Sequence, residues 1–390
     1  MKVAVVHDWL VNYGGAELFV EYLLKLYPDA DIYTLVYDKK KMKGHFDSNR
    51  IFTSYFQKIP FASKIYTKLL KFMPGAFESF DFSGYDLVLS SSSSCAKGII
   101  TPHSVPHVAF IHSPMRYAWD LFFDYRKRSG WLTRFFMNRW MGQIRLWDYV
   151  SSQRIDVLIA NSAYIARRIQ KFWNREARVI YLPTDVSRFS PSEKPREDFY
   201  VAFSRLVPYK RIDLAVSACK KLGKKLVIIG GGSEEKKLRE LAGNDRNITF
   251  TGRASDETVL DYLQRCRALL FCAEEDFGFV PLEAQACGTP VISTSLRALT
   301  EINNENVGWL IDVPVNRLNN PLHLTREQQD IFSEKLLNGL YDKVEYVLQH
   351  REEIKDKAMK CLVKIKDYHS PQKYEEKLRM VYQGRISEIK

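Results

Sequence analysis

Two glutamates with seven residues between them flank a Phe-Gly-Phe turn in FCAEEDFGFVPLEAQACGTPVIS, residues 271–293. Glu275 follows an apolar run that predicts a strand, and Glu283 lies in PLEAQA, which predicts the first turns of a helix. Open parallel sheets bind ligands where such strands end and helices begin. By residue type the two could be a general acid and base. The simpler alternatives are a helix-capping Glu283 and a solvated loop acid at Glu275.

A basic segment, SRLVPYKRIDLAV, follows the predicted strand FYVAFS in the same half of the chain. Arg205 comes just after that strand, and Lys210 comes just before a helix predicted to begin near Arg211. An arginine can bind a phosphate through two donors and a lysine acts as a point charge, so the pair could clamp a diphosphate. A solvated basic loop is the alternative. The glycines of KLVIIGGGSEE, Gly230 to Gly232, suit either close packing or close approach of a ligand.

The first half offers two further candidates at the ends of predicted strands. Gly14 and Gly15 precede a helix predicted over 16–26, where backbone N–H groups can meet an anion, although a plain tight turn fits equally well. His112 follows the strand HVAFI and opens HSPMRYAWD. It could hydrogen-bond a sugar hydroxyl or cap the next segment.

Short apolar runs alternate with helical segments along the whole chain, which predicts parallel sheets and an α/β fold. At 390 residues the chain suits two domains. The proline-rich, charged segment YLPTDVSRFSPSEKPRED has the composition of a linker. We predict an N-terminal domain over 1–188 and a C-terminal domain over 189–370, with residues 371–390 forming a last helix.

The chain resembles retaining glycosyltransferases of family 4 in three segments: the paired glutamates, SRLVPYK with Asp213, and HSPMRYAWD. The paired glutamates match the Glu-seven-Glu signature of that family. That family has the GT-B fold, in which two Rossmann-like domains with parallel sheets face each other across a cleft. The resemblance implies that the C-terminal helix returns to the N-terminal domain. The HSPMRYAWD segment is similar to the corresponding segment in a subgroup of mannosyltransferases that build surface polysaccharides.

The resemblance also implies a role for each candidate residue. Catalysis would rest on His112, Arg205, Lys210 and Glu275, with the cations neutralising the leaving diphosphate and Glu275 on the donor sugar. Glu283 would bind the ribose, where a position at the helix start would add dipole stabilisation. The remaining donor contacts would be Gly14, Gly15, Arg253, Asp276, Phe277, Gly278 and Phe279. Arg116 and Trp119 would lie near the acceptor.

The net charge and the cysteine content limit which binding partners and which cellular compartment we expect. A net charge of +12 favours anionic partners such as nucleotide phosphates or acidic lipids. Nucleic acid is disfavoured because no recognition motif accompanies the charge. Six scattered cysteines without a C-x-x-C pair indicate reduced, buried thiols in the cytosol and no zinc site. We expect no metal and no cofactor, since the two cations replace the metal.

Two stretches combine basic and aromatic residues without a single acidic one. Residues 50–77 contain five basic residues, with Phe61, Ile65, Leu69 and Phe72 predicted on one helical face. Residues 126–145 contain six, interleaved with large aromatic side chains. Packing of these helices on the sheet is the simple alternative. Their coincidence favours a peripheral position on the inner face of the cell membrane, with an anionic lipid surface as partner.

These observations predict a cytoplasmic, metal-independent hexosyltransferase. Its expected donor is GDP-mannose, and its expected acceptor is a polysaccharide or a lipid-linked oligosaccharide. The alternatives are transfer from a UDP-sugar on the same fold, a phosphorylase or epimerase of this architecture, and a non-catalytic membrane-peripheral protein that binds a sugar nucleotide. Base and sugar selectivity rest on few contacts, which is why the donor stays open.

Overall fold

The computed structural model describes residues 1–46, 50–313 and 326–389. The chain forms two compact units. The first comprises Met1–Leu182 with the C-terminal segment from Glu375, and the second comprises Pro183–Tyr374. The C-terminal helix thus returns to the first unit, as the family resemblance implied.

The first unit contains a seven-stranded, entirely parallel sheet in the order β3-β2-β1-β4-β5-β6-β7. Its strands are β1 (Val3–His7), β2 (Asp31–Thr34), β3 (Ile51–Thr53), β4 (Leu87–Ser92), β5 (His107–Ile111), β6 (Val157–Ala160) and β7 (Arg178–Val179). The central strands are buried along their whole length, since helices cover both faces of such a sheet.

The second unit contains a six-stranded parallel sheet in the order β10-β9-β8-β11-β12-β13. Its strands are β8 (Phe199–Phe203), β9 (Lys225–Ile229), β10 (Ile248–Gly252), β11 (Ala268–Phe271), β12 (Val291–Thr294) and β13 (Gly308–Ile311). In both sheets the strand order reverses beside the first strand of the unit. Ligands of such folds bind beyond the carboxyl ends of the strands at this point.

Fourteen α-helices lie among the described residues and connect or flank these strands. The first unit contains α1 (Gly15–Leu26), α2 (Ala62–Ile65), α3 (Met73–Glu78), α4 (Phe122–Arg128), α5 (Trp131–Gln153) and α6 (Ala163–Trp173). The remaining helices are α7 (Ile212–Lys221), α8 (Glu235–Ala242), α9 (Asp256–Arg265), α10 (Phe279–Ala286), α11 (Leu299–Ile302), α12 (Arg326–Gln349), α13 (Glu352–Tyr368) and α14 (Pro371–Ile389).

The fold class predicted from the sequence is confirmed, and most predicted strands fall where expected. The third strand, Ile51–Thr53, was not predicted, because a three-residue run gives little periodicity. The last strand of the first sheet, Arg178–Val179, is only two residues long. All six cysteines are free and buried, as expected. No helix in the described part of the chain is long and apolar enough to cross a membrane.

The single amphipathic helix expected over Phe61–Phe72 is wrong. The segment divides into α2 and a 3₁₀ stretch over Tyr66–Phe72, and α3 follows it. Phe61 itself takes a left-handed backbone with φ of 58°, and Leu69 departs from helical angles. The apolar residues therefore do not line one helical face. Residues 126–145, in contrast, fall on α4 and the 23-residue α5.

A buried ion pair fixes α5 inside the first unit. The Lys97 ammonium lies 3.0 Å from the Asp148 carboxylate, and the two side chains are 2% and 0% exposed. Asp148 also accepts hydrogen bonds from the indole N–H groups of Trp119 and Trp173, both at 2.7 Å. Hydrogen bonds of this kind offset part of the hydration that a buried charge pair loses. It links the turn after β4 with α5, α6 and the HSPMRYAWD segment.

Candidate functional site

The basic segment of the second unit is held at the carboxyl end of β8. Arg205 follows the strand, and Lys210 ends a 3₁₀ turn over Pro208–Lys210 that leads into α7. A Cβ atom on Gly230, whose φ is +130°, would stand 1.9 Å from the Ser204 carbonyl oxygen. Only glycine permits this approach of the β8 and β9 loops. The structure shows close packing at Gly230 and at Gly232, where a Cβ atom would stand 2.3 Å from the Leu206 carbonyl oxygen.

Lys210 forms an ion pair with Glu275, the loop acid from the paired-glutamate stretch. Their side chains are only 12% and 20% exposed, so the pair is stronger than one on an open surface. The Lys210 ammonium also lies 5.4 Å from the centre of the Phe271 ring, at the end of β11. The structure thus joins two predicted site residues that are 65 positions apart in sequence. Arg205 instead donates a hydrogen bond to the Tyr209 hydroxyl at 2.8 Å.

All three consecutive acids of the loop are paired with cations. Arg297 lies 2.9 Å from Glu274 and 3.3 Å from Asp276. Its backbone adopts φ of 54°, a left-handed conformation that favours glycine. The main chain closes the loop further, because the Ala298 N–H donates to the Glu275 carbonyl at 3.2 Å. Sequence reasoning missed Arg297, which sits 21 residues after Asp276.

The Phe-Gly-Phe turn forms the entry to α10. Gly278 precedes the helix with φ of +115°, and the rings of Phe277 and Phe279 meet edge to face at 5.1 Å. Phe277 is buried. Arg253 follows β10 in an exposed position, and its Cγ atom would lie 3.8 Å from a Cβ atom placed on Gly231. These donor-site candidates therefore lie on the loops that follow β10 and β11.

Glu283 lies within α10 rather than at its start. The helix begins at Phe279 and has no acidic residue in its first turn, so dipole stabilisation of Glu283 is weaker than expected. Burial raises the pKa of the Glu283 carboxyl to about 7, while the nearby Arg188 acts in the opposite direction. Its carboxylate makes no hydrogen bond to any described residue. Such a desolvated, unpartnered acceptor is suited to binding hydroxyl groups.

In the first unit, three neighbouring strands bring polar side chains together at their carboxyl ends. His7 ends β1, Ser91 lies directly opposite it on β4, and His112 follows β5. The His112 Nε2 atom lies 2.8 Å from the Ser91 Oγ atom, and His7 Nδ1 lies 3.1 Å from the same oxygen. Desolvation lowers the pKa of His112 to about 3, with His7 acting in the same direction. His112 is therefore a neutral imidazole.

The glycine pair begins α1 beside this cluster. Gly14 is the extended residue before the helix and Gly15 is its first residue. A Cβ on Gly14 would stand 3.3 Å from the Glu17 carboxylate, which in turn lies 3.5 Å from His7 Nε2. The helix also sends Phe19 against His112, with ring centres 5.4 Å apart. Gly14, Gly15 and His112 thus belong to one neighbourhood.

Asp8 shapes the serine-rich turn after β4 and was not singled out from the sequence. Its buried carboxylate accepts main-chain hydrogen bonds from Ser93 at 2.6 Å, Ser94 at 2.9 Å and Ala96 at 2.8 Å. The HDW segment of the sequence gives no hint of this contact, because its partners lie more than 80 residues away.

The two acceptor-site candidates are placed differently. The Arg116 Nε atom lies 3.4 Å from the Ser113 hydroxyl, within the HSPMRYAWD segment. Trp119 donates to the buried Asp148 and stacks on Phe172 at 5.0 Å, so it contributes to packing. Arg168 on α6, which sequence reasoning also missed, contacts the same segment. It donates to the Ser113 hydroxyl at 2.5 Å and to the Asp120 carboxylate at 2.5 and 3.0 Å.

Two protein-family models match the chain, one over each half. The model described as Glycosyltransferase Family 4 matches residues 13–188, and the one described as Glycosyl transferases group 1 matches residues 184–330. Between them the two matches contain every site residue predicted from the sequence.

Two relatives found by sequence similarity are named as glycosyltransferases. A glycosyltransferase of Methanocaldococcus jannaschii of undetermined specificity is 24% identical over 313 residues, which are 77% of this chain and 81% of that protein. The GDP-mannose-dependent monoacylated alpha-(1-6)-phosphatidylinositol monomannoside mannosyltransferase of Corynebacterium glutamicum is 29% identical over 187 residues, 40% of this chain and 49% of its own length. This chain thus aligns with about half of that mannosyltransferase.

Among solved structures, Anabaena HepE in complex with UDP is similar with a TM-score of 0.68 at 16% identity, covering 98% of this chain and 100% of that chain. Together with the two parallel sheets, this similarity shows the GT-B fold.

Proposed function

We propose that this chain, a glycosyltransferase of the GT-B type, transfers a hexose with retention of configuration from a nucleoside-diphosphate sugar to a glycan or lipid-linked glycan. The observation that carries the proposal is the Lys210–Glu275 pair. It places a cation suited to phosphate beside a carboxylate suited to sugar hydroxyls, at the switch point of a parallel sheet where ligands bind.

The residues of the second unit divide the work on the donor. Arg205 and Lys210 bind the diphosphate and stabilise the charge that develops on it as the glycosidic bond breaks. Glu275 accepts hydrogen bonds from the sugar, and Glu283 accepts them from the ribose. Backbone N–H groups of the turn Asp276–Phe279 complete the contacts. A leaving-phosphate oxygen takes the proton of the acceptor hydroxyl, which requires no separate acid and base pair.

GDP-mannose is the proposed donor. The HSPMRYAWD segment supports this choice, as does the similarity to a mannosyltransferase whose name specifies GDP-mannose. The alternative, a UDP-sugar, is favoured by the structural similarity to HepE, which was solved with UDP.

Thermal unfolding in the presence of nucleotides separates these donors. A ligand that binds only the folded state raises the midpoint in proportion to RT ln(1 + [L]/Kd). GDP should raise it more than UDP at equal concentration, and the reverse order would assign the UDP-sugar alternative. Incubation of the favoured nucleotide's sugars with a lipid-linked acceptor, followed by NMR of the product, then tests transfer and retention. An inverted anomer, or release of free sugar phosphate, would contradict the proposed reaction.

We propose that transfer needs no divalent metal, because two cationic side chains already face the diphosphate. Turnover should be unchanged by EDTA, and added Mg²⁺ or Mn²⁺ should alter it less than twofold. Loss of activity with EDTA that is restored by one of these ions would overturn this part of the proposal. The control for inhibition by EDTA itself is buffer without EDTA from which metal ions have been removed on a chelating resin.

We propose further that the first unit binds anionic membranes through a basic-aromatic surface, defined by Lys71, Phe72, Phe135, Phe136 and Trp140. The Lys71 ammonium lies 4.3 Å from the Trp140 ring and 5.7 Å from the Phe72 ring. Trp140 stacks on Phe136 at 4.6 Å, and Phe136 meets Phe135. The contacts make one continuous patch from two stretches that were separate in the sequence.

The exposure of this surface supports membrane binding over internal packing. Phe135 is 60% exposed, and Trp131, one turn earlier on α5, is 81% exposed. Large apolar side chains beside cations are what an anionic lipid surface attracts. Some of the basic residues serve the fold as well. Arg134 caps the last carbonyls of α4, for example through its bond to Lys127 at 2.8 Å.

A further inference from the structure

A chain of polar contacts runs from α1 through three strand ends of the first unit to His112. It begins at the Glu17 carboxylate, continues through His7 and the Ser91 hydroxyl, and ends at His112 Nε2. All four side chains lie in described parts of the structure. Glu17, His7 and Ser91 are buried, which removes competing water from the chain.

The first link shows which ring nitrogen of His7 carries a hydrogen toward Ser91. Its Nδ1 atom lies 3.1 Å from the Ser91 carbonyl oxygen, which can only accept a hydrogen bond. Nδ1 must therefore carry a hydrogen. The same N–H points toward the Ser91 Oγ atom, also at 3.1 Å, and so this oxygen acts as an acceptor toward His7. Glu17, 3.5 Å from Nε2, holds the other side of the ring.

The second link sets the tautomer of His112 through the direction of the Ser91 hydrogen bond. With His7 on its accepting side, the Ser91 hydroxyl has its own hydrogen available, and its other side-chain contact is His112 Nε2 at 2.8 Å. The hydroxyl therefore donates to Nε2, which must hold a lone pair. A neutral imidazole with a lone pair on Nε2 carries its hydrogen on Nδ1.

We propose that His7 and Ser91 are positioning residues that hold His112 in the Nδ1–H form, so that it offers a hydrogen-bond donor to an oxygen of the substrate sugar. Nδ1 of His112 has no hydrogen-bond partner among the described residues, and the ring is partly exposed. An Nε2–H tautomer would present a lone pair instead and could not donate to the same oxygen. The assignment of the sugar as the recipient rests on the proposed function, whereas the tautomer does not.

Nitrogen-15 NMR of the labelled, full-length protein tests the tautomer directly. Two-bond proton–nitrogen correlations distinguish Nδ1–H from Nε2–H rings, and the spectrum of His112→Asn identifies the His112 signals among the eight histidines. We expect Nδ1–H for His112 in the wild type. Ser91→Ala should produce a mixture or the Nε2–H form, while Ser91→Thr, which keeps the hydroxyl, should retain Nδ1–H.

A matched pair at position 7 tests the first link. The amide nitrogen of asparagine stands near the place of Nδ1, and that of glutamine near the place of Nε2. His7→Asn should therefore keep the donor toward Ser91 and the His112 tautomer, and His7→Gln should lose both. Because the two variants differ by a single methylene, general disruption of the site would affect them alike.

Kinetics connect the tautomer with the reaction. Ser91→Ala and His7→Gln should lower kcat about tenfold, the loss of one hydrogen bond in the transition state, with a smaller change in donor KM. Ser91→Thr and His7→Asn should lose less than threefold. An Nε2–H ring in the wild type, or an unchanged tautomer in both disabling variants, would overturn the proposal. A correct tautomer in a protein that transfers no sugar would instead refute the proposed function alone.

Discussion

At the residue scale, the Lys210–Glu275 pair couples the basic turn after β8 to the acidic loop after β11. Without a donor each charge neutralises the other, and neither group needs another partner. A bound diphosphate would draw on the same ammonium and leave Glu275 free to accept hydrogen bonds from the sugar. The pair is therefore poised to be exchanged for ligand contacts, which a purely structural ion pair would not be.

Lys210→Ala should lower kcat by about 10²- to 10³-fold, because a preorganised cation facing the leaving group is lost. The midpoint of thermal unfolding should change little, since Glu275 is partly exposed and can be solvated. Arg239→Ala is the control, as Arg239 belongs to the solvent-exposed ion pair with Glu235 on α8 and should leave kcat unchanged. A wild-type rate in Lys210→Ala would refute the diphosphate clamp.

Glu283 should make both stability and donor binding dependent on pH. Its pKa of about 7 in the folded protein lies above the ordinary value of 4.5, so folding favours the protonated form. That stabilisation is complete below about pH 4.5 and is lost as the pH rises through 7. Glu283→Gln mimics the protonated form and should be more stable than the wild type at pH 8, by about 1 to 3 kcal/mol.

The same variant should bind the donor about tenfold more weakly at pH 8, because one acceptor oxygen for the ribose hydroxyls is lost. Thermal unfolding from pH 5 to 9, with and without GDP, measures both effects. Glu257→Gln, an exposed substitution on α9, controls for the change in net charge. If the two variants show the same pH profile, Glu283 is not the titrating group.

Arg297 should matter for activity more than for stability. Glycine at position 297 would relieve a left-handed backbone but would remove the cation between Glu274 and Asp276. These effects oppose each other, so Arg297→Gly should change the free energy of unfolding by no more than about 1 kcal/mol. Its kcat/KM should fall about tenfold as the loop acids repel one another. Asn174→Gly, at another left-handed position, should keep full activity.

The sequence revealed those site residues that directly follow a strand, and missed those whose importance depends on pairing. Arg205 and Glu275 stand out because a polar residue after an apolar run is visible in one dimension. His7 ends β1 in a comparable position. Its role depends on standing opposite Ser91, 84 positions away, and this follows only from the order and register of the strands.

At the element scale, α5 shows why patterns of apolar residues predict helices but not their surroundings. The helix exists where aromatic and basic residues alternate, and its buried side is defined by Asp148 and Ile144. For residues 61–72 the same spacing predicted a helix that does not form. A segment that starts at Phe61 in a left-handed conformation after Pro60 is divided by its own backbone, and its apolar residues meet different neighbours.

Replacing exposed aromatic residues on α5 should weaken membrane binding without unfolding the protein. Trp131→Ser with Phe135→Ser should reduce the amount bound to vesicles of 30% anionic lipid about tenfold, since two large apolar side chains no longer insert. Flotation at low and high salt measures this, and wild-type binding should fall as salt screens the basic residues.

Val363→Ser is the matched control, because Val363 is 56% exposed on α13 in the other unit. It should bind vesicles as the wild type does. If the wild type does not float with anionic vesicles at low salt, the proposed membrane surface is wrong. If it floats equally well with neutral vesicles, the basic residues play no part in binding.

At the scale of the whole molecule, the alternation of strands and helices predicted parallel sheets, and the length of the chain predicted two domains. Each unit repeats the same arrangement, with candidate site residues beyond the carboxyl ends of its central strands. The alternation alone could not predict that the last helix belongs to the first unit, because no local sequence pattern specifies where a C-terminal helix packs. That expectation came from the family resemblance, and the structure bears it out from Glu375 onward.

The return of α14 makes the stability of the first unit depend on the end of the chain. Leu378 and Val381 are 1% and 5% exposed. Burial raises the pKa of the Tyr22 hydroxyl on α1, and the Glu375 carboxylate of α14 acts in the same direction. Ending the chain after Tyr374 should therefore expose apolar surface on α1 and destabilise the first unit selectively.

Hydrogen exchange measures this selectivity, because it reports the opening of each segment separately. Amides of α1 should lose protection in the truncated protein, while those of β11 in the second unit should keep theirs and GDP should still protect the acidic loop. Leu378→Ala should show the same pattern more weakly, with a cost of about 2 to 4 kcal/mol for the cavity. Equal loss of protection in both units would mean that α14 stabilises the molecule as a whole, and no loss in α1 would show that the helix contributes nothing to the first unit.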